Sequence, residues 1–301
     1  MAAIATTPNH TMEAWPKLST TAAAITGLPA EQRRAIIAVW DFCRVVDDAV
    51  DEAPSRESAE QAMIFWRAEL ARIYSAASAS SPGALSEGAK APAVEGPQTV
   101  EGIQLQPFVR QFDLPRQAFE DVIDGCVMDL DTQRYETFDH LLEYCHRVAS
   151  AVGLICIKIW GCEHPDSRRY AVDLGVALQL TNILRDIKDD LEKGRVYIPQ
   201  EDLRATGCRI EDLAAGKVTE PVRRLMELEC GRAHDFYERA RRARPDSDRW
   251  KLIAAEIMRA VYSETLRRIE QNHYDVFSRR TRVPKPRQAL IALNQLLWPT
   301  Q

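Results

Sequence analysis

No two cysteines of the sequence are spaced C-x-x-C, and the seven present (Cys43, Cys126, Cys145, Cys156, Cys162, Cys208 and Cys230) are odd in number. That argues against a disulfide framework or a zinc site, and for buried thiols in a reducing compartment such as the cytoplasm. No apolar run reaches the roughly 18 residues of a membrane span. The nearest, residues 148–161, is interrupted by Ser150 and Lys158. The N-terminus lacks the basic-then-apolar pattern of a secretory signal. A soluble protein is therefore expected, with contact to a membrane surface left open. No series of alternating strand patterns is present. Neither sign of charge dominates: Lys+Arg 39 stand against Asp+Glu 44, for a formal charge of -5. Nothing in that balance argues for a nucleic-acid partner. One local exception is the basic stretch Arg279, Arg280, Arg282, Lys285 and Arg287, which reads either as a solvated tail or as a contact for phosphate or a membrane surface.

What is present is apolar periodicity at helical spacing. Hydrophobic residues make up 46% of the 301, enough for a real core. Residues 1–18 are polar and read as loose. Helical patterns follow at about 30–52, 56–77, 115–132, 138–161, 166–193, 219–243, 247–276 and 284–298, with Pro29 marking the first start. The stretch 76–107 is rich in Ala, Ser, Gly and Pro, lacks periodicity, and reads as a flexible insertion. The expectation is one all-α domain over residues 19–298.

Two of these helices carry carboxylates where apolar residues belong. On a helix begun at Ile36, with about 100° per residue, Trp40, Cys43 and Val50 share a narrow stripe with it. Asp47 falls in that stripe at roughly 20° and Asp51 on its flank at roughly 60°. Asp48 and Glu52 lie further round. A buried carboxylate must be neutralised or bound to a cation. Arg44, one turn away, can pair with one of these acids but not with all four. An acidic helix end facing solvent is the competing reading of this helix alone.

The segment 172–195 weakens that competitor. Val176, Leu180, Ile183, Leu184, Ile187 and Leu191 form one apolar arc. Beside it Gly175, Gln179, Asn182, Asp186 and Asp190 make a line about 80° wide, with Leu174 and Leu178 beyond. A polar line between two apolar flanks is hard to explain as a solvated face. Two such helices around an apolar cavity with acid at its mouth would suit diphosphates bridged by Mg²⁺, with Arg185, Lys188, Lys193 and Arg195 taking the remaining phosphate charge. Loss of diphosphate from an allylic carbon leaves a carbocation that needs a dry apolar or aromatic pocket, and the helix 141–160 is a candidate wall.

At these motifs the sequence resembles the squalene/phytoene synthase family. The first aspartate motif is 47–51 (DDAVD). The second is 179–190 (QLTNILRDIKDD), followed by 194–199 (GRVYIP), and a third block is 144–153 (YCHRVASAVG). Three ordered blocks are a far stronger signal than any one of them. The resemblance covers about residues 19–292 apart from the insertion, and implies an isoprenoid-synthase-type helical bundle around a central apolar cavity.

It also implies roles. Asp47, Asp51, Asp186 and Asp190 match the family's Mg²⁺–diphosphate aspartates, with Mn²⁺ as the plausible substitute. Asn182 matches a supporting position, and Arg44 and Arg185 match diphosphate-contacting arginines; Gln179 on the polar line and Arg195 beside it join them as candidate substrate contacts. Tyr144 matches the tyrosine of the first half-reaction, and Tyr262 a pocket position. Within the family, 45–52, 127–130 and 274–277 look most like bacterial presqualene diphosphate synthases of the hopanoid pathway, which join two farnesyl diphosphates and stop, without NADPH. Phytoene synthases, which use geranylgeranyl diphosphate, are close behind. A full squalene synthase using a nicotinamide cofactor is the third enzyme reading; the absence of G-x-G-x-x-G after a strand weighs little in an all-α chain. Relatives that have lost their aspartates act as assembly factors, but this chain keeps all four. It departs from the family at 19–25 (STTAAAI), where an aromatic segment is usual, which puts the shape of one pocket wall in question.

Overall fold

Ile36, Val39, Phe42, Cys43 and Val46 recur at three- and four-residue intervals and form the buried face of helix α1 (Ala30–Asp51) in the computed structural model. The structure describes residues 27–79 and 96–297, the side chains of 76–79 excepted. Residues 1–18, the departure at 19–25 and residues 80–95 of the insertion thus lie outside the described residues. Helices account for nearly all regular structure. Among the described residues there is no strand, and a single isolated parallel bridge joins Arg134 to Val196. No helix among them is long and apolar enough to cross a membrane.

The remaining long elements are α2 (Arg56–Ala79), α3 (Val100–Gln111), α4 (Arg116–Asp131), α5 (Phe138–Cys145), α6 (Ala151–Ile159), α7 (Pro165–Glu192), α10 (Glu220–Ala243), α11 (Ile253–Gln271) and α12 (Lys285–Leu297). Short helices α8 (Gln200–Thr206) and α9 (Ile210–Ala214) join α7 to α10. Helix α7 is the spine. It starts on Pro165 behind the capping His164 and buries residues from Ser167 to Ile187. It packs most extensively on α10, and also on α6, α11 and the segment between α5 and α6.

That last segment departs from the uninterrupted helix expected over 138–161. Residues His146–Ser150 form a π-helical turn between α5 and α6, the kind of interruption that gathers at functional sites. Close approach goes with it. A Cβ on Gly175 of α7 would lie 2.7 Å from the Ser150 backbone. Gly175 therefore serves packing, and the polar line of α7 begins at Gln179.

The expected insertion needs correction. Residues 100–107 belong to helix α3, not to a flexible stretch. The buried carboxylate of Glu69 accepts hydrogen bonds from the Gln98 and Thr99 amides at 2.7 Å and from the Thr99 hydroxyl at 2.8 Å. Thr99 in turn caps the Gly102 amide. Gly102 and Pro107, poor helix residues by propensity, disguise this helix: a Cβ on Gly102 would meet the Glu69 carboxylate at 2.5 Å. The pattern at 247–276 also overruns, since α11 begins only at Ile253.

Candidate active site

Helices α1, α4 and α7, with α5 and the turn after α7, surround a polar cavity. Its lining includes Asp47, Asp129, Tyr144, Asp186, Asp190 and Tyr197. Gln179 and Asn182 line this cavity and also a second, apolar one walled by Ile36, Trp40, Val152, Cys156 and Trp160. The stripe Ile36–Trp40–Cys43–Asp47 on α1 thus runs from the apolar chamber to the acidic one, as its spacing suggested. The wall expected from the helix 141–160 is likewise in place.

The carboxylates are poorly compensated. Oδ2 of Asp47 and Oδ2 of Asp51 are buried without a hydrogen-bond partner. Burial, reinforced by the carboxylates of Asp51, Asp129 and Asp48, pushes Asp47 well above the usual carboxylate range. Burial and the neighbouring Asp186 push Asp190 up to about 8. Such groups are acceptors in want of a cation. Among the described residues no cluster of three or more His, Cys, Asp or Glu side chains could enclose a metal by itself. A cation here would need further oxygen ligands from a bound molecule.

Asp51 is 7% exposed and does not line the cavity directly; its Oδ1 accepts from Arg195 at 2.7 Å. Arg195 is placed by the end of α7, where Gly194 turns the chain with φ +77° and the Arg195 amide closes on the Asp190 carbonyl at 2.9 Å. Asp186 accepts from Arg185 and, at 2.7 Å, from Arg280. Arg280, the one member of the C-terminal basic stretch that reaches this site, was not among the expected residues. Arg185 and Tyr262 sit behind the lining: Tyr262 hydrogen-bonds Arg185 and Asn182. Arg44 stands apart, exposed and paired with Asp48 at 3.2 Å and Asp41 at 3.6 Å.

Tyr144 is buried at the cavity edge and donates to Asp129 Oδ2 at 3.0 Å, while Tyr197 donates to Asp129 Oδ1 at 2.7 Å. The two rings stack with centroids 5.2 Å apart, and Tyr135 stacks on Tyr197 at 5.8 Å. Burial, opposed by Arg195 and the two hydroxyls, raises Asp129 to about 6. Sequence reasoning did not single out Asp129 or Tyr197 as site residues. Each stood inside a quoted block, but the only signal was a lone polar residue in an apolar surround.

An all-α bundle with clustered aspartates at the mouth of an apolar chamber is the architecture of enzymes that ionise isoprenyl diphosphates. A model of the squalene/phytoene synthase family matches residues 17–287. The sequence is 35% identical to phytoene synthase 2, chloroplastic, of Solanum lycopersicum over 270 residues, 86% of this chain and 80% of that one. It is 33% identical to 15-cis-phytoene synthase of Synechococcus elongatus over 272 residues, 85% of this chain and 81% of that one. Among solved structures, a squalene synthase from Alicyclobacillus acidocaldarius superposes with a TM-score of 0.70 at 26% identity, covering 84% of this chain and 89% of that one. The chain belongs to the squalene/phytoene synthase family, prenyl transferases whose substrates are isoprenyl diphosphates.

Proposed function

We propose that this chain condenses two farnesyl diphosphates head to head into presqualene diphosphate, with Mg²⁺ and without NADPH. The observation that carries the reading is the pair of buried, partnerless oxygens on Asp47 and Asp51 beside an apolar chamber. The residues would fit the ion: Asp47, Asp186 and Asp190 line the cavity and offer hard oxygen ligands, Asp51 keeps one buried oxygen without a hydrogen-bond partner, and diphosphate oxygens would complete the set. Mg²⁺ held there would supply neutralising charge for the leaving diphosphate.

The protein's own groups supply the rest. Arg195, Lys193 and Arg185 hold residual phosphate charge. The apolar walls exclude water from the allylic cation, and the rings of Tyr144 and Tyr197 in the cavity lining stabilise it. Attack by the second substrate's double bond forms the new carbon–carbon bond, and loss of one proton closes the cyclopropane. Tyr144 Oη receives that proton while passing its own to Asp129 Oδ2, a carboxylate whose affinity for protons lies near neutrality.

A second reading, phytoene formation from geranylgeranyl diphosphate, is favoured by the 33–35% identity to phytoene synthases. The blocks 45–52, 127–130 and 274–277 favour the first, and the likeness to the Alicyclobacillus squalene synthase supports a squalene-type over a phytoene-type condensation. The deciding test is incubation of purified protein with Mg²⁺ and either diphosphate, with and without NADPH, and product analysis by mass spectrometry. Presqualene diphosphate from farnesyl diphosphate, unchanged by NADPH, is expected. Phytoene from the longer substrate alone would replace the first reading with the second, squalene formed with NADPH would make the chain a full squalene synthase, and no turnover of either would overturn both readings.

A further inference from the structure

Helix α12 faces the wrong way for a helix that serves only the core. With about 100° per residue, Leu290, Leu293, Leu296 and Leu297 share an arc about 120° wide. All four are exposed, Leu290, Leu293 and Leu297 by 54%, 51% and 58%. The side packed on α11 is formed by Gln288, Ile291, Ala292 and Gln295, of which Ala292 and Gln295 are buried. The more apolar face is therefore turned outward. Among the described residues nothing covers it.

The segment that carries this face has charge of one sign, with Arg287 paired to Glu264 of α11 at 3.5 Å. Residues 279–297 contain five basic side chains and no acid, in a chain whose formal charge is -5. Arg279, Arg282, Lys285 and Arg287 are exposed, and Lys285 and Arg287 lie on either side of the leucine arc. The same segment begins at the acidic cavity, where Arg280 holds Asp186. Leucines on one face of a helix flanked by cations are the composition of an interfacial helix lying in the plane of a bilayer. Exposed basic groups beside it are drawn to anionic headgroups. A second copy of the chain is a poor occupant, because a two-fold contact through this face would bring two such cationic segments together.

We propose that α12 and the basic segment before it dock this protein on an anionic lipid surface, with Leu290, Leu293, Leu296 and Leu297 reaching the acyl boundary and Arg279, Arg282 and Lys285 at the headgroups. The docked segment is then tied to the acidic cavity through Arg280, which holds Asp186. The inference is independent of which diphosphate the enzyme uses.

The test is flotation of the full-length protein with phosphatidylcholine vesicles, with and without phosphatidylglycerol. Binding is expected only with phosphatidylglycerol and should weaken as salt is added. The variant Leu290→Ser/Leu293→Ser/Leu297→Ser should partition at least about tenfold more weakly. Its circular dichroism and thermal unfolding report whether it is folded. The variant Arg279→Gln/Arg282→Gln/Lys285→Gln, confined to exposed positions before and at the helix start, should lose roughly fivefold per charge removed. Failure of the wild type to float with phosphatidylglycerol vesicles overturns the proposal, as does equal binding by both variants. So does a wild-type dimer, seen by sedimentation velocity, that the leucine variant converts to monomer.

Discussion

Buried charge occurs along both ends of α7, and the two ends treat it in opposite ways. Toward the C-terminal end Asp47 and Asp51 each leave an oxygen without a partner, and Asp47 and Asp190 are held well above the ordinary carboxylate range. About 30 Å away along the helix, Tyr170 lines the apolar chamber and passes its hydroxyl proton into a hydrogen bond with Glu256 at 2.7 Å. Glu256 is only 1% exposed, yet Arg244 and Arg259 bind it at 3.0 and 2.9 Å. Burial raises its pKa, but Arg259, Tyr170 and Arg244 together outweigh that and leave the value below the ordinary one. A fully partnered buried carboxylate fastens α11 to α7. A partly partnered one holds unused capacity for a ligand.

The largest expected effect comes from breaking the unsatisfied end. On the proposed reading Asp47→Asn removes an oxygen that would hold Mg²⁺, worth several kcal/mol of transition-state stabilisation, so turnover should fall about 10³-fold. Thermal unfolding should show an equal or higher midpoint, because a desolvated charge beside three other acids is lost. A fall in midpoint with turnover intact would make Asp47 a structural group. The satisfied end should answer in the reverse sense. Glu256→Gln leaves two buried guanidinium groups short of an anion and should cost about 3 kcal/mol in urea unfolding, while the folded fraction keeps its turnover. The pH dependence carries the same sign. Because the folded pKa of Glu256 is depressed, its contribution is present above the ordinary glutamate value of 4.5 and is lost as pH falls through the lower, folded value. Wild type should lose this increment on acidification and Glu256→Gln should not.

The contrast between the two ends was only half legible in the sequence. Asp186 and Asp190 announce themselves through helical period alone, because Gln179 and Asn182 continue their line between two apolar flanks. Asp47 was equally visible, but its helix also read as a solvated acidic end until the second line was found. Asp129 gave no such signal. It is one acid on α4, and its role comes from Tyr144 on α5 and Tyr197 beyond α7, a meeting that only tertiary packing creates. Glu69 and Glu256 read as ordinary i,i+3 partners of Arg72 and Arg259 on their own helices, while the partners that make them buried anchors, the Gln98 and Thr99 amides and Tyr170 with Arg244, lie on other elements or in the segment read as an insertion. Helix α3 was hidden because Gly102, placed for close contact with Glu69, and the exposed Pro107 both run against local propensity. Periodicity reports what a single helix buries, and it cannot report whether a neighbour satisfies what is buried.

The sharpest form of the comparison uses one substitution twice. Tyr144→Phe and Tyr170→Phe each delete a buried hydroxyl that donates to a carboxylate, Asp129 in one case and Glu256 in the other. At Tyr144 the ring remains stacked on Tyr197, so packing survives, and the loss falls on proton transfer. Turnover should drop by about 10²-fold, the lower range for general acid–base participation, with KM nearly unchanged. At Tyr170 two arginines still hold Glu256, so the folded state loses one hydrogen bond to a charged group, about 1.5 kcal/mol, and turnover stays close to wild type. Steady-state kinetics and urea unfolding of both variants separate the two. If both lose stability and neither loses rate, Asp129 is a second structural carboxylate and the proton must leave through another group, most directly the departed diphosphate.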